Sequence, residues 1–248
     1  MSTVLKDLVV NPLRRSIVGV AKYSNLQRLR VKGRGRHKVE MRKAMQHSRS
    51  QLGQDVFVLA EVGFKTSGYF VEFGATDGID GSNSWLLEKQ FAWSGVVAEP
   101  ARCWHRQLRM NRDCIIETDC VWSESNSVLT FNETDLGEYS TIDSYSASDF
   151  HSQNRAAGKK YDVKTTSLED MLERHGAPKE IDYLSIDTEG SEYAILSNFN
   201  FDKYQFRVIT CEHNFTPARG MIHGLLTRNG YLRKFKYTSI FDGWYVRA

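Results

Sequence analysis

Short apolar runs alternate with amphipathic stretches along most of the chain, beginning near residue 51. The apolar runs each end on a polar or acidic residue, which is typical of buried strands. They occupy residues 69–73, 95–98, 114–117, 181–186 and 208–211. The stretches between them, at residues 83–91, 102–111, 168–175, 192–198 and about 219–228, have helical character. Because strands that alternate with helices form a parallel sheet covered on both faces, the pattern predicts a doubly wound α/β domain.

The end of the chain and one central segment depart from this alternation. Residues 231–237 and 240–247 are strand-like and are joined by too few residues for a crossover helix, so they predict an antiparallel hairpin at the sheet edge. Residues 122–166 are rich in Ser, Asn and Asp. There we expect a strand at 127–131, a polar loop to about residue 160 and a short strand at 163–165.

Charge divides the chain into two parts. Residues 1–50 contain 13 Lys or Arg and 2 acidic residues, whereas residues 51–248 contain 20 and 28. Gly33 and Gly35 lie among the cations, where a helix prefers neither. We therefore predict a basic N-terminal arm at residues 1–48, partly flexible or helical, and a catalytic domain at residues 49–248.

The basic arm suggests an anionic surface or partner, for example the headgroups of a membrane at which the protein is peripheral. Few aromatic residues lie between its cations, so no nucleic acid is expected. No apolar run approaches the ~20 residues of a membrane span and the N-terminus has no apolar signal core, so we expect a cytoplasmic protein. The oligomeric state is not predicted.

A glycine-rich turn follows the first strand and is the first candidate for ligand binding. Glu72 ends that strand, and Gly74, Asp77 and Gly78 follow it. This is neither the G-x-G-x-x-G turn of dinucleotide folds nor a phosphate-binding loop, and its carboxylates would repel a pyrophosphate. A ligand that carries an ammonium or sulfonium group, such as S-adenosylmethionine, suits these residues.

The next two strand ends complete the predicted cofactor site. Glu99 ends the second strand, where an acidic residue can accept hydrogen bonds from the two hydroxyls of a ribose. The alternative is that Glu99 only caps the following helix. After the third strand, Asp119 is predicted to bind the adenine amino group, and Cys120 to contribute through its backbone.

Several ordered motifs resemble FkbM-type S-adenosylmethionine-dependent methyltransferases. They are Tyr-Phe-Val-Glu-Phe-Gly-Ala-Thr-Asp-Gly at 69–78, Ser-Asn at 82–83, Gly-Val-Val-Ala-Glu-Pro at 95–100, and the segments 164–170 and 181–192. The resemblance covers roughly residues 50–247. It implies a Rossmann-like class I methyltransferase fold and, usually, O-methylation of a hydroxyl on a sugar, polysaccharide or polyketide, as in polysaccharide biosynthesis. It also adds Ala75, Ser82 and Asn83 to the cofactor side.

The fourth and fifth strand ends are the candidates for catalysis. Asp187 closes the fourth strand, and Glu212 and His213 close the fifth. A hydroxyl is a poor nucleophile until its proton is removed or its oxygen binds a metal. His213 is the predicted base, oriented by Asp187 or Glu212. Alternatively, these three residues, with Asp187 also beside the cofactor, bind Mg²⁺ or Mn²⁺, or they are purely structural.

The acceptor is predicted to be a small molecule or glycan that carries a hydroxyl. Tyr139 and Ser140 lie on the long polar loop, and Glu189 and Asn214 follow the catalytic strand ends, so these four form the predicted acceptor side. The function that the resemblance implies for this site is O-methylation. The alternatives are an N-methyltransferase acting on another acceptor, or a non-catalytic nucleoside-binding module tethered by its basic arm.

Overall fold

The computed structural model describes residues 12–32, 37–135, 137–149 and 151–248. Its strands, in chain order, are β1 (Tyr69–Phe73), β2 (Ser94–Ala98), β3 (Ile115–Glu117), β4 (Cys120–Trp122), β5 (Val128–Glu133), β6 (Thr141–Ile142), β7 (Lys159–Ser167), β8 (Glu180–Ile186), β9 (Gln205–Glu212), β10 (Tyr231–Lys234) and β11 (Asp242–Arg247). Its helices are α1 (Pro12–Lys32), α2 (Lys38–His47), α3 (Gln54–Glu61), α4 (Trp85–Phe91), α5 (His105–Asn111), α6 (Ser152–Arg155), α7 (Leu168–Arg174), α8 (Glu192–Ser197) and α9 (Ala218–Arg228).

The described residues form a central seven-stranded sheet in the order β10-β11-β9-β8-β1-β2-β3. The five strands from β9 to β3 are parallel, and β11 is antiparallel to both β9 and β10. The strand order reverses between β1 and β8, so the carboxyl ends of these two strands flank the crevice in which open α/β sheets bind ligands. The predicted Rossmann-like, doubly wound α/β architecture, with its mostly parallel sheet and C-terminal antiparallel hairpin, is confirmed.

Side chains alternate between two apolar layers, one on each face of the sheet. In β1, Phe70 packs into one layer while Val71 and Phe73 pack into the other. In β8, Tyr183 and Leu184 divide in the same way. These strands have helices on both faces and are buried almost completely, which explains why they appear in the sequence as continuous apolar runs.

The segment between β3 and β8 differs most from the prediction. It contains a second, four-stranded sheet in the order β4-β7-β5-β6 within the described residues. β5 and β7 correspond to the two predicted strands, but β7 has nine residues. β6 and α6 occupy positions predicted as loop, and β4 lies where no element was predicted. These elements were missed because the strands are short or carry alternating polar residues, and because part of this sheet faces solvent.

The N-terminal region contributes helices to the main body. Leu29 of α1 and Met41 and Ala44 of α2 are buried in the same apolar layer as α3. The predicted glycines Gly33 and Gly35 lie outside the described residues. The domain boundary at residue 48 and the contact with an anionic surface stay predictions. Among the described helices, none has both the length and the apolar character needed to cross a membrane.

Candidate functional site

A cavity of about 950 Å³ lies at the carboxyl ends of β1, β2, β8 and β9. The second sheet forms another part of its wall through Cys120, Phe131 and Ile142. The position is the one expected for the ligand site of an open parallel sheet. A cavity of this size is at the upper end of the range for small-molecule sites, which leaves room for a cofactor and a second ligand.

Gly74 sits at the tightest point of the cavity wall. Its φ is +72°, and a Cβ at this position would lie 2.1 Å from the carbonyl oxygen of Asp187. Its backbone N–H donates to the carbonyl of Ala98 in β2. Glycine is therefore required here both by the left-handed conformation and by the close approach of two strand ends.

Glu72 is buried beneath the glycine-rich turn and does not line the cavity. Its carboxylate accepts hydrogen bonds from the hydroxyls of Ser82 (3.0 Å) and Ser84 (2.5 Å) and from the backbone N–H of Asn83 (2.5 Å). The guanidinium of Arg112 lies 3.4 Å away and compensates the charge. The geometry thus assigns Glu72 and Ser82 to the support of the turn rather than to its exposed surface.

Other predicted turn residues also act within the protein. The carboxylate of Asp77 accepts hydrogen bonds from the backbone N–H groups of Ile79 (2.8 Å) and Asp80 (3.0 Å). A Cβ on Gly78 would lie within 3 Å of side-chain atoms of Leu108 and Arg112, so this glycine permits close packing. Ala75 is buried, and the Asn83 amide donates to Ser185 (2.9 Å). The turn residues that do line the cavity are Gly74, Thr76, Asp80 and Gly81.

Glu99 lines the cavity, and two backbone hydrogen bonds fix the orientation of its carboxylate. One carboxylate oxygen accepts from the backbone N–H of Thr76 and the other from that of Ala101, both at 2.8 Å. Burial raises the pKa of Glu99 to about 7. Each oxygen has a lone pair left, so this carboxylate is able to accept two further hydrogen bonds from a vicinal diol.

The third strand end brings one of its two predicted residues to the cavity. Cys120 lines it, whereas Asp119 lies outside, 3.4 Å from the guanidinium of Arg174. Trp104 is a further cavity residue, and Gly137 of the opposite loop lies close against its indole ring. Trp104 and Cys120 belong to the same apolar cluster, and both line the cavity.

Three carboxylates meet at the ends of β8 and β9. Oxygen atoms of Asp187, Glu189 and Glu212 all lie within 4.8 Å of one another, and we call these residues the carboxylate trio. Burial raises the pKa of Asp187 to about 7. Burial, together with the charge of Asp187, also raises the pKa of Glu189 and of Glu212 well above the usual value. Burial and mutual repulsion therefore raise the proton affinity of all three carboxylates.

Positive charge around the trio is limited. The guanidinium of Arg155, which is fully buried, contacts Glu189 at 2.7 Å but also pairs with Asp149 at 2.7 Å. The Asn214 amide donates to Glu212 (2.8 Å) and Glu189 (3.4 Å).

In Glu189 and Asn214 the backbone is left-handed, with φ of +57° and +41°. Non-glycine residues in this conformation tend to cluster at functional sites.

His213 is not brought into this group; Glu189 takes the place predicted for it beside Asp187 and Glu212. Its Nδ1 accepts from the backbone N–H of Phe215 (3.2 Å), and its buried Nε2 has no hydrogen-bond partner among the described residues. Burial lowers the pKa of His213 to about 4, so the ring is neutral at pH 7. His213 is also absent from the described cavity wall.

The predicted acceptor loop is connected to the trio. Tyr139 and Ser140 line the cavity, and the ring of Tyr139 stacks on His151 at 4.1 Å. Arg155 donates to the carbonyl of Tyr139 at 2.7 Å while it contacts Glu189. The loop and the carboxylates are therefore positioned by the same buried guanidinium.

Some cavity residues were not predicted from the sequence. Thr76 is one of them, although it lies between the predicted Ala75 and Asp77 and its place in the glycine turn is a signal for it. Val18, Gly19 and Lys22 of α1 line the cavity from about 50 residues before β1. Because nothing in local spacing links α1 to the strand ends, only the fold reveals these residues.

Comparison with known proteins identifies one family. A family model described as Methyltransferase FkbM domain matches residues 72–235. Comparison with curated protein sequences gives no match. One similar solved structure is precorrin-6y C5,15-methyltransferase from Geobacter metallireducens GS-15, with a TM-score of 0.40 and 10% identity, over 73% of this chain and 71% of that one.

Proposed function

The chain belongs to the FkbM methyltransferase family, and we propose that it methylates a hydroxyl group of a sugar, polysaccharide or polyketide-type acceptor. S-adenosylmethionine is the methyl donor that the family implies. The observation that carries the proposal is the carboxylate trio, which lies in the same cavity as the glycine turn and Glu99. Donor binding and proton removal are thereby combined in one site.

The residues of the cavity fit this donor. Glu99 offers free lone pairs for the ribose hydroxyls, and Trp104 and Cys120 offer apolar contacts for the adenine ring. Gly74 lines the cavity, and because it has no Cβ the ends of β1 and β8 lie close together there. When bound, S-adenosylmethionine supplies an electrophilic methyl group on a sulfonium, whose positive charge suits a cavity rich in carboxylates.

Asp187 is the base that we favour. A general base works best when its pKa is close to the working pH, and burial raises the pKa of Asp187 to about 7. Asp187 lines the cavity directly, so it is accessible to an acceptor hydroxyl. Oxygen atoms of Glu189 and Glu212 lie within 4.8 Å of Asp187, and negative charge on either residue favours uptake of the hydroxyl proton by Asp187.

The trio also offers the oxygen ligands that Mg²⁺ or Mn²⁺ prefers. A cation would have to share Glu189 with the guanidinium of Arg155, 2.7 Å away. Bound there, a metal would lower the pKa of a coordinated hydroxyl. Chelator treatment separates the two routes: turnover that survives excess EDTA supports Asp187 as the base, and loss restored by Mn²⁺ supports the metal.

Charge also restricts the acceptor. Among the described residues, the cavity is lined by six carboxylates, those of Asp80, Glu99, Glu138, Asp187, Glu189 and Glu212. Among the same residues, Lys22 is the only lysine or arginine that lines it. An acceptor with phosphate or sulfate groups near the reacting hydroxyl would be repelled, so the acceptor is uncharged or cationic there.

The decisive experiment measures binding and turnover with the same preparation. Calorimetric titration with S-adenosylhomocysteine should give micromolar affinity, and Glu99→Ala should weaken it by about tenfold or more because a charge-assisted hydrogen-bond acceptor is lost. Radioactive methyl transfer is then measured on methyl glycosides, oligosaccharides and amines. Transfer to amines alone would replace O-methylation by N-methylation. Binding without any transfer would favour a nucleoside-binding module.

A further inference from the structure

Helix α1 lies outside the segment matched by the family model but forms part of the cavity. Val18, Gly19 and Lys22 line the cavity, and so do Ser50 and Gln51, which follow α2. The family match begins at residue 72. This side of the cavity is therefore a property of this chain that the shared motifs do not describe.

The α1 wall is held in place by buried hydrogen bonds. The Asn25 amide, which is fully buried, donates to the carbonyls of Leu52 and Thr238, each at 3.0 Å. The Lys22 ammonium donates to the carbonyl of Ser50 at 2.5 Å. Breaking such bonds would leave buried polar groups unpaired, so the helix forms a fixed surface rather than a loose cover.

The contacts of α1 place it beside the acceptor end of the cavity. Thr238 belongs to the connection before β11, and so does Phe241, which lines the cavity and whose carbonyl accepts from the backbone N–H of His213. Asp242 then pairs with Glu212 of the trio across β11 and β9. On its other side, Ser50 forms a bridge with Gly81 of the glycine turn.

Gly19 leaves this wall open. A Cβ added at Gly19 would have no heavy atom within 4 Å, whereas at Gly74 and Gly137 it would collide with neighbouring atoms. A side chain at position 19 would therefore extend into free space at the cavity wall. The absence of one enlarges the space beside the acceptor end.

We propose that Val18, Gly19 and Lys22 form an acceptor-selecting wall, and that glycine at position 19 admits acceptors larger than a single sugar ring. This inference rests on the proposed function, because it concerns the acceptor in the same cavity. The ligand class is an oligosaccharide or a comparably extended hydroxyl compound, uncharged or cationic near the reacting hydroxyl. The glycine turn adjoins the wall through Ser50 and Gly81, so cofactor binding is measured beside activity.

The first test fills the proposed space. Gly19→Phe should lower kcat/KM for trisaccharide acceptors by about tenfold or more, as expected when a pocket loses volume, and should affect the matching methyl monosaccharides less. Its affinity for S-adenosylhomocysteine should stay within about twofold of the native value. The matched control is Gly220→Phe, because Gly220 is also an exposed helical glycine without close neighbours and lies outside the cavity wall.

Three results would overturn the proposal. One is an equal loss of activity in Gly19→Phe and Gly220→Phe, which would indicate a general effect of the added ring. Another is weaker binding of S-adenosylhomocysteine in Gly19→Phe alone, which would place α1 over the cofactor. Equal loss for mono- and trisaccharides would also contradict selection by size.

A second measurement decides the position of the wall without any acceptor. Gly19→Cys is made in a Cys103→Ser background, because Cys103 is the exposed cysteine among the described residues. Saturating S-adenosylhomocysteine should change alkylation of the new thiol by N-ethylmaleimide less than about twofold, as in the Gly220→Cys control. Protection of about tenfold would overturn the proposal. If the native protein binds S-adenosylhomocysteine and methylates no acceptor, the proposed function fails while this measurement still decides the wall.

Discussion

The buried carboxylate of Glu72 and the carboxylate trio lie on neighbouring strands of the sheet and differ in how their negative charge is compensated. Glu72 of β1 pairs in register with Ser185 of β8, two residues before Asp187 of the trio. Glu72 is surrounded by donors from Ser82, Asn83 and Ser84, with a guanidinium nearby. The trio has three carboxylates and shares one arginine with Asp149. A satisfied carboxylate supports the fold, whereas an unsatisfied group is available for chemistry.

The largest effect, a loss of stability, is expected when the cation that compensates Glu72 is removed. Arg112 is fully buried and pairs with Glu72 and with Glu88 (2.6 Å). Arg112→Met should lower the free energy of unfolding by about 3–5 kcal/mol, because it removes the guanidinium that compensates the buried Glu72 carboxylate and leaves Glu88 with Lys89 alone. Urea denaturation measures this, with exposed Arg109→Met as the control, which should change stability by less than about 0.5 kcal/mol. A loss below about 1 kcal/mol would contradict the structural role.

Substitution in the trio should lower activity and not stability, in contrast to substitution of Arg112. Asp187→Asn should lower methyl transfer by about 10²–10⁴-fold, the usual contribution of a general base. The same change should leave the free energy of unfolding unchanged or raise it by about 0.5–2 kcal/mol, because it removes charge repulsion among buried acids. Exposed Asp202→Asn is the control for both measurements. Full turnover in Asp187→Asn would rule out Asp187 as the base.

The pH dependence of stability should distinguish the trio as well. The folded pKa of Asp187 is about 7, above the unfolded value near 3.9, so the folded state binds more protons between these values. The free energy of unfolding therefore falls as pH rises from about 4 to about 7. In Asp187→Asn this fall should be shallower, by at most about 1.4 kcal/mol per pH unit. Identical pH profiles for both proteins would show that Asp187 titrates normally.

The smallest effect is expected at His213. Asn offers an amide oxygen near the position of Nδ1, which accepts the N–H of Phe215, so His213→Asn should keep that hydrogen bond. Turnover should fall less than about fivefold, which corresponds to roughly 1 kcal/mol. Steady-state kinetics measures this. A loss as large as that of Asp187→Asn would return the role of base to His213.

The buried parallel strands were predictable because their apolar runs are continuous and their acidic ends follow at once. Glu99, Asp187, Glu189 and Glu212 could be selected for the same reason, since strand ends meet at one edge. The hydrogen-bond network around Glu72 was not predictable from the sequence. A carboxylate before a glycine turn gives the same sequence pattern whether it faces a ligand or three hydrogen-bond donors of the protein. The α1 wall was not predictable because its contacts span many residues.

The second sheet has a consequence for how the family can diversify. The chain enters it at Cys120 and leaves it at Ser167, and β4 and β7 pair side by side at this point. A segment whose two ends are adjacent can be lengthened, shortened or exchanged without disturbing the strands that precede and follow it. Residues 120–167 therefore form an exchangeable segment on a conventional scaffold, and exchanging it between relatives would change the cavity wall at Cys120, Phe131 and Ile142 while Glu99 and the glycine turn stay in place.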